Sequence, residues 1–217
     1  LYQVRRVAGD QTTAATNLTS SFSVGTGARI VNTQKFMSQG SITTTDNSLD
    51  LAIEGGGFFQ VLLPDGRVGY TRNGSFATNA EGVLTTASGY VVQPEIAIPD
   101  GATQINISSD GIMSVLVAGG VGAEEVGQLT IADFTNKIGL QPVGESFFVQ
   151  TDTSGDPIEG NPNEQGLGRI VQGALEASNV NVVTELVEMI ETQRAYEVSS
   201  KSITSVDEML RFISQNL

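Results

Sequence analysis

Residues 181–217 read NVVTELVEMIETQRAYEVSSKSITSVDEMLRFISQNL, a stretch with neither Gly nor Pro. Apolar residues recur along it at helical spacing: Val183, Leu186, Val187 and Ile190, then Ile203, Val206, Leu210, Ile213 and Leu217. Asn181 stands where an N-cap side chain accepts from the first free amides, and Glu185 and Glu188 lie near the positive end of the helix dipole. Glu197–Lys201 and Asp207–Arg211 are i,i+4 pairs in the favourable order. The stretch predicts one helix of about 35 residues, ~50 Å long at 1.5 Å per residue. A compact body made of the whole chain would have a radius of gyration of ~17 Å. A helix that long cannot be covered by such a body, so its apolar residues require another helix. In its middle, Gln193-Arg194-Ala195-Tyr196-Glu197 reads either as a solvated face or as a seam that sets register through polar contacts.

Upstream of the helix the pattern is different. Residues Thr151–Gly168 carry Gly, Pro, Asn and Asp with almost no apolar side chain, which predicts a long surface loop. From Ser41 to Gln172 the signal is β. Strand-like runs cover Leu51–Ile53, Phe58–Leu63, Gly89–Gln93, Glu95–Ile98, Gln104–Ile107, Gly111–Val117 and Gln128–Ala132. Between them stand turn signatures: Pro64-Asp65-Gly66, Arg72-Asn73-Gly74, Ala80-Glu81-Gly82, Pro99-Asp100-Gly101 and Ser109-Asp110-Gly111. Short strands with turns every 8–12 residues indicate an antiparallel β domain. Residues 7–33, rich in Thr, Ser, Ala and Gly, read equally as an extended element or a flexible linker. The chain thus divides into an extended linker or bridging segment (1–40), an antiparallel β domain (41–172), and a connector with the long C-terminal helix (173–217). The expected class is α+β, mainly β.

Composition narrows the chemistry. The 217 residues, at a length/150 prior, suggest one large unit or a compact body with an accessory element. There is no Cys and no His, which removes disulfides, Cys/His zinc sites, thiol nucleophiles and Ser-His-Asp arrangements. Eleven Lys+Arg against 24 Asp+Glu leave a formal charge of −13, a balance that repels nucleic acid and anionic lipid surfaces. With 39% hydrophobic and 16% charged residues the chain is too apolar for wholesale disorder. No apolar run approaches the ~18 residues of a membrane span. The start, Leu1-Tyr2-Gln3-Val4-Arg5-Arg6, lacks both the apolar core of a signal peptide and an initiating Met, and reads as a processed or incompletely represented N-terminus, the latter being the expectation.

Three motifs invite a chemical reading. Glu54-Gly55-Gly56-Gly57-Phe58-Phe59 is Gly-rich but has no Gly-Lys-Ser/Thr and no GxGxxG spacing, so it reads as a tight passage into a buried strand. Asp152-Thr153-Ser154-Gly155-Asp156 resembles a calcium loop only faintly, because Pro157 stands where that loop needs Gly. Paired carboxylates, as in glycosidases, are the one acid–base chemistry this composition leaves open, and nothing marks a particular pair. The expectation is no catalytic, cofactor-binding or metal-binding residue.

A resemblance joins several of these blocks. Leu49-Asp50-Leu51-Ala52-Ile53-Glu54-Gly55-Gly56-Gly57-Phe58-Phe59-Gln60-Val61 is similar to a signature shared by bacterial flagellar rod and hook proteins. Tyr70-Thr71-Arg72-Asn73-Gly74-Ser75-Phe76, then Gly82-Val83-Leu84 and Gly89-Tyr90, resembles that family's next block. From Ser178 through Gln193-Arg194-Ala195-Tyr196-Glu197, Lys201 and Met209-Leu210, the chain is similar to the family's terminal helix, in wording most like members of the distal rod. The family pairs this helix with an N-terminal one, which would precede Leu1.

The resemblance implies a non-enzymatic structural subunit of the distal rod, a helical hollow shaft carrying torque from motor to hook. Subunits would cross the flagellar export channel without a cleaved signal and assemble in the periplasm-spanning basal body. The implied partners are further copies of the chain, proximal rod and hook subunits, and surrounding basal-body rings, with no nucleic acid, membrane insertion or cofactor. The subunit-interface helix would use Val183, Leu186, Ile190, Gln193, Tyr196, Ile203 and Leu210 in a coiled-coil-like tube. Proximal rod or hook subunits are the nearest alternatives. From other classes come a flagellum-associated peptidoglycan hydrolase and a β-rich surface-binding module on a helical stalk.

Overall fold

The computed structural model describes residues 2–6, 11–13, 16–17, 22–25, 34–118 and 122–215. The chain forms two units, Leu1–Phe36 and Met37–Leu217. In the first, β1 (Tyr2–Arg6), β2 (Gln11–Thr13), β3 (Thr16–Asn17) and β4 (Phe22–Gly25) form two antiparallel pairs, β1 with β4 and β2 with β3. Residues 1, 7–10, 14–15, 18–21 and 26–33 of the expected linker or bridging segment lie outside the described residues.

The second unit continues with β5 (Ile42–Thr44), β6 (Leu51–Glu54), β7 (Phe58–Leu62), β8 (Val68–Thr71), β9 (Phe76–Thr78) and β10 (Leu84–Thr86). Next come β11 (Val91–Gln93), β12 (Ala102–Ile107), β13 (Ile112–Val117), β14 (Ala123–Gln128), β15 (Ile131–Asp133) and β16 (Gln141–Gly144). It ends with β17 (Phe147–Val149), β18 (Ile158–Gly160), β19 (Arg169–Gln172), β20 (Ala174–Glu176) and one long helix, α1 (Val182–Gln215). Every strand pair among the described residues is antiparallel. The fold is α+β, mainly β.

Turn chemistry explains how the strands are joined. Between β7 and β8, Leu63 and Arg67 close the hairpin, with the Leu63 N–H donating to the Arg67 carbonyl at 2.9 Å. Asp65 then accepts the Arg67 N–H at 3.0 Å. Strand β7 is the hub of a nine-stranded sheet: β8 lies on one edge, while β11 and β15 share the other. On that shared edge β15 faces Phe58–Phe59 and β11 faces Gln60–Leu62.

Alternation along β7 sorts its side chains into two clusters. Phe59 and Val61 join a large core with Leu51 and Ile53 of β6, Leu84, Val92, Met113 and Val115 of β13, Ile131 and Ile170. Phe58 joins a smaller cluster with Tyr70, Ala132, Phe134 and Leu140. The Glu54–Gly57 passage runs tightly into the buried Phe58 and Phe59. Gly57 has φ +130°, and a Cβ there would meet the Ile131 side chain.

Two expectations change. Glu95–Ile98 is not a full strand but an isolated bridge of Ala97 with Val83, although Ile96 and Ile98 are buried. Pro94 and Pro99 flank the run, and a proline has no amide for a ladder. Thr151–Gly168 is not a simple surface loop. It contains β18, which pairs with β15, and buries Ser154, Pro162 and Leu167. Its polar groups bond internally, with the Ser154 hydroxyl donating to the Thr151 carbonyl at 2.8 Å, so the segment can fold onto the body at little desolvation cost.

Candidate functional site

α1 begins as its sequence predicts. The Asn181 side-chain oxygen accepts the Val183 N–H at 3.0 Å and the Thr184 N–H at 3.5 Å, and the Asn181 carbonyl accepts the Glu185 N–H at 3.1 Å. Glu185 stands in the first turn, beside the positive end of the dipole. The helix runs for 34 residues, about 51 Å at 1.5 Å per residue. No described helix is long and apolar enough to cross a membrane.

The predicted interface residues Val183, Leu186, Ile190, Gln193, Tyr196, Ile203 and Leu210 are all exposed, the large apolar ones between 48% (Ile190) and 76% (Tyr196). Val187, Val198, Val206, Met209, Phe212 and Ile213 are exposed as well. So many exposed large apolar side chains on one element mark it as a candidate interaction surface.

Helical geometry divides that surface in two. At about 100° per residue, Val183, Leu186, Val187 and Ile190 fall on one face. Ile203, Val206, Leu210 and Ile213 fall on another, about 170° around the axis from the first. Gln193 lies beside the first group and Tyr196 beside the second. Where the stripe changes face, the hydroxyls of Thr192, Ser199 and Ser202 donate to the carbonyls of Glu188, Ala195 and Val198 at 2.8–2.9 Å. Those bonds satisfy the hydroxyls within α1 and leave them no need of a partner. The apolar members of the set therefore fall on two faces of α1.

In the body, each basic side chain has an acidic partner: Arg67 with Asp65, Arg72 with Glu176, Lys137 with Asp133 and Arg169 with Glu54. The Arg67 guanidinium beside Asp65 holds that carboxyl below the usual range. Burial, with the Glu159 charge adding to it, pushes the Tyr70 phenol up.

Residues 52–115 match the family model described as flagellar hook protein FlgE/F/G D1 domain, from β6 into β13. Residues 171–216 match the one described as flagellar basal body rod FlgEFG protein C-terminal, which takes in β20 and α1. Over 215 residues the chain is 48% identical to the flagellar basal-body rod protein FlgG of Buchnera aphidicola subsp. Schizaphis graminum, covering 99% of this chain and 83% of that one. The chain belongs to the flagellar basal-body rod family. It is 42% identical over 216 residues to FlgG of Caulobacter vibrioides, covering 99% of this chain and 82% of that protein. Against FlgF of the same organism the figures are 34% over 184 residues, with 82% and 69% covered. Within one organism this rod-family chain is thus more similar to FlgG than to FlgF. The two matched regions meet where Arg72 bonds Glu176, and Gln39 and Gly40, outside both, join them there through Ile53 and Glu176, a convergence that spacing alone did not single out.

Proposed function

We propose that this chain is a structural subunit of the flagellar distal rod, polymerising into a helical hollow shaft that transmits torque from motor to hook within the basal body. The observation that carries this reading is α1, a 34-residue helix with exposed apolar residues on two opposite faces among the described residues. One covering partner could serve one face. Two faces need two neighbours, which is the situation of a helix inside the wall of a tube. The body, in contrast, closes two apolar clusters of its own.

In this reading residues 1–40 bridge neighbouring subunits, 41–172 form the outer layer, and 173–217 connect to the inner tube. An N-terminal helix of the full-length protein covers one face of α1, and α1 of a neighbouring copy covers the other. A head-to-tail interface whose rotation does not close then gives a filament rather than a ring. Proximal rod and hook subunits meet the two ends, and basal-body rings surround the shaft. Function resides in these interfaces, without catalysis or cofactor.

Electron microscopy of the purified full-length protein across a concentration series tests the reading. Straight tubes at high concentration are expected. Discrete particles at every concentration, with no tubes even when preformed rods are added as seeds, would refute it.

A further inference from the structure

Two sequence blocks, Glu54-Gly55-Gly56-Gly57 and Thr71-Arg72-Asn73-Gly74, contribute nothing to α1 itself, yet both converge on its root. α1 leaves the body through β20 and residues 177–181. β20 pairs with β5, Ala174 opposite Thr44 and Glu176 opposite Ile42. Beyond the strands the pairing continues: the Ala177 N–H donates to the Ser41 carbonyl at 2.8 Å, and the Asn179 side-chain amide donates to the Ser38 carbonyl at 2.9 Å. A Cβ on Gly40 would collide with the Ala177 carbonyl oxygen, so here the two segments run backbone against backbone. Residues 38–44 and 174–179 thus make one two-stranded stem, which ends just before the N-cap Asn181.

Arg72 grips this stem. Its Nε donates to Glu176 Oε2 at 2.9 Å, Nη1 to the carbonyls of Gly55 at 2.9 Å and Gly57 at 2.8 Å, and Nη2 to the Ile53 carbonyl at 3.4 Å. Glu176 turns its other oxygen, Oε1, to the Gly40 N–H at 2.9 Å. Gln39 closes the ring: its Nε2 donates to the Ile53 carbonyl at 2.9 Å, and its Oε1 accepts the Gly55 N–H at 3.1 Å. The Arg72 and Glu176 side chains are only 23% and 12% exposed, against 57% and 47% for Arg169 and Glu54. Shielded, charge-assisted bonds from a planar guanidinium are strong and fixed in direction, whereas exposed pairs hold little.

We propose that the Arg72–Glu176 pair is a clamp that fixes the direction in which the stem, and with it α1, leaves the β body. Arg72 is then a positioning residue. On the rod reading above, torque passing between a subunit's outer layer and its tube helix crosses this stem, so the clamp sets the stiffness of that joint.

The test is made on the single full chain, so its failure leaves the polymer reading to its own experiment. With no native Cys, Glu81→Cys and Val180→Cys place one spin label on an exposed turn of the body and one at the end of the stem. Pulsed electron spin resonance then reads the distance distribution between them. One narrow distribution is expected, broadened about 2-fold or more by Arg72→Gln or Glu176→Gln, with little added in the double variant because the two residues act as one unit. In parallel, the Ala177 amide should exchange about 10-fold faster in each variant while the β7 and β8 amides keep their protection. An unchanged distribution would overturn the proposal. So would equal loss of protection in the stem and in β7, which would assign the pair to general stability. If Arg72→Gln does not fold, Glu176→Gln, which keeps an acceptor for Gly40, decides by the same two readouts.

Discussion

Replacing Leu186 with Glu separates what α1 does alone from what it does in an assembly. In the single chain Leu186 is 52% exposed, so roughly half its surface is already covered and the other half awaits a partner. Full burial of a Leu side chain contributes about 1.5–3 kcal/mol, so the part still open contributes about 0.8–1.5 kcal/mol. A carboxylate forced into that contact adds a desolvation cost of several kcal/mol unless it takes up a proton. A total loss of ~4 kcal/mol turns a micromolar contact into a millimolar one. Every subunit carries the lesion, so the loss recurs at each addition. The single chain should hardly notice: Leu186 belongs to neither core cluster, and a Glu near the start of α1 suits the helix dipole. The assays are motility of cells whose only rod subunit carries Leu186→Glu, electron microscopy of their basal bodies, and thermal melting of the purified chain. Rods should be absent and the melting temperature unchanged. Glu191→Lys, about a quarter-turn from the centre of either apolar group, should be mild, since surface charges contribute ~0–1 kcal/mol. Normal motility with Leu186→Glu would refute the packing argument. A lowered melting temperature would show that α1 is part of the body's own core.

If α1 serves two partners, Ile203→Glu should impair assembly as strongly as Leu186→Glu although it lies on the opposite face; normal rods would restrict the interface to the first half. Amides in the middle of α1 should exchange far faster than those of β7 and β8 in the unassembled chain, because a helix without tertiary burial is marginal; protection equal to the sheet's would contradict its exposure. Phe59→Ala removes a fully buried ring that stacks edge-on against Phe76 at 5.1 Å, and should cost about 3–5 kcal/mol, read as a lower denaturant midpoint for the body. Tyr70 should ionise above the ordinary tyrosine value of 10.0, chiefly through burial and secondarily through the Glu159 charge, and Glu159→Gln should bring it partway back. Because its folded pKa is raised, its stabilising contribution is whole below about pH 10 and is lost as pH rises through the folded value. Phenolate absorbance and alkaline melting curves check both statements.

What could be read from residues alone was whatever a few neighbouring residues decide. Asn181, the absence of Gly and Pro after it and the helical recurrence of apolar residues place α1 within a residue or so of its observed ends, because capping and periodicity act over three or four positions. The Pro64-Asp65-Gly66 turn, the Glu54–Gly57 passage and the strand runs around Phe59 and Met113 were legible for the same reason. The two-faced character of α1 also follows from spacing, but it emerges only when the angle around the axis is counted; read along the chain, the residues pool into one stripe. Short strands such as β8, β9, β10, β17, β19 and β20 were missed, since an alternation of period two leaves little trace in three or four positions, and six-residue β14 was missed because Glu124, Glu125, Gly127 and Gln128 leave it few apolar residues. Sheet order, the sharing of one edge of β7 by β11 and β15, and the burial of Ser154 and Pro162 depend on which surfaces pack together. Those contacts leave no periodic trace. The clamp at the root of α1 is the extreme case: Arg72 and Glu176 stand 104 positions apart, and only folding the body brings the guanidinium to the carboxylate and both to the backbone of Gly40 and Gly55.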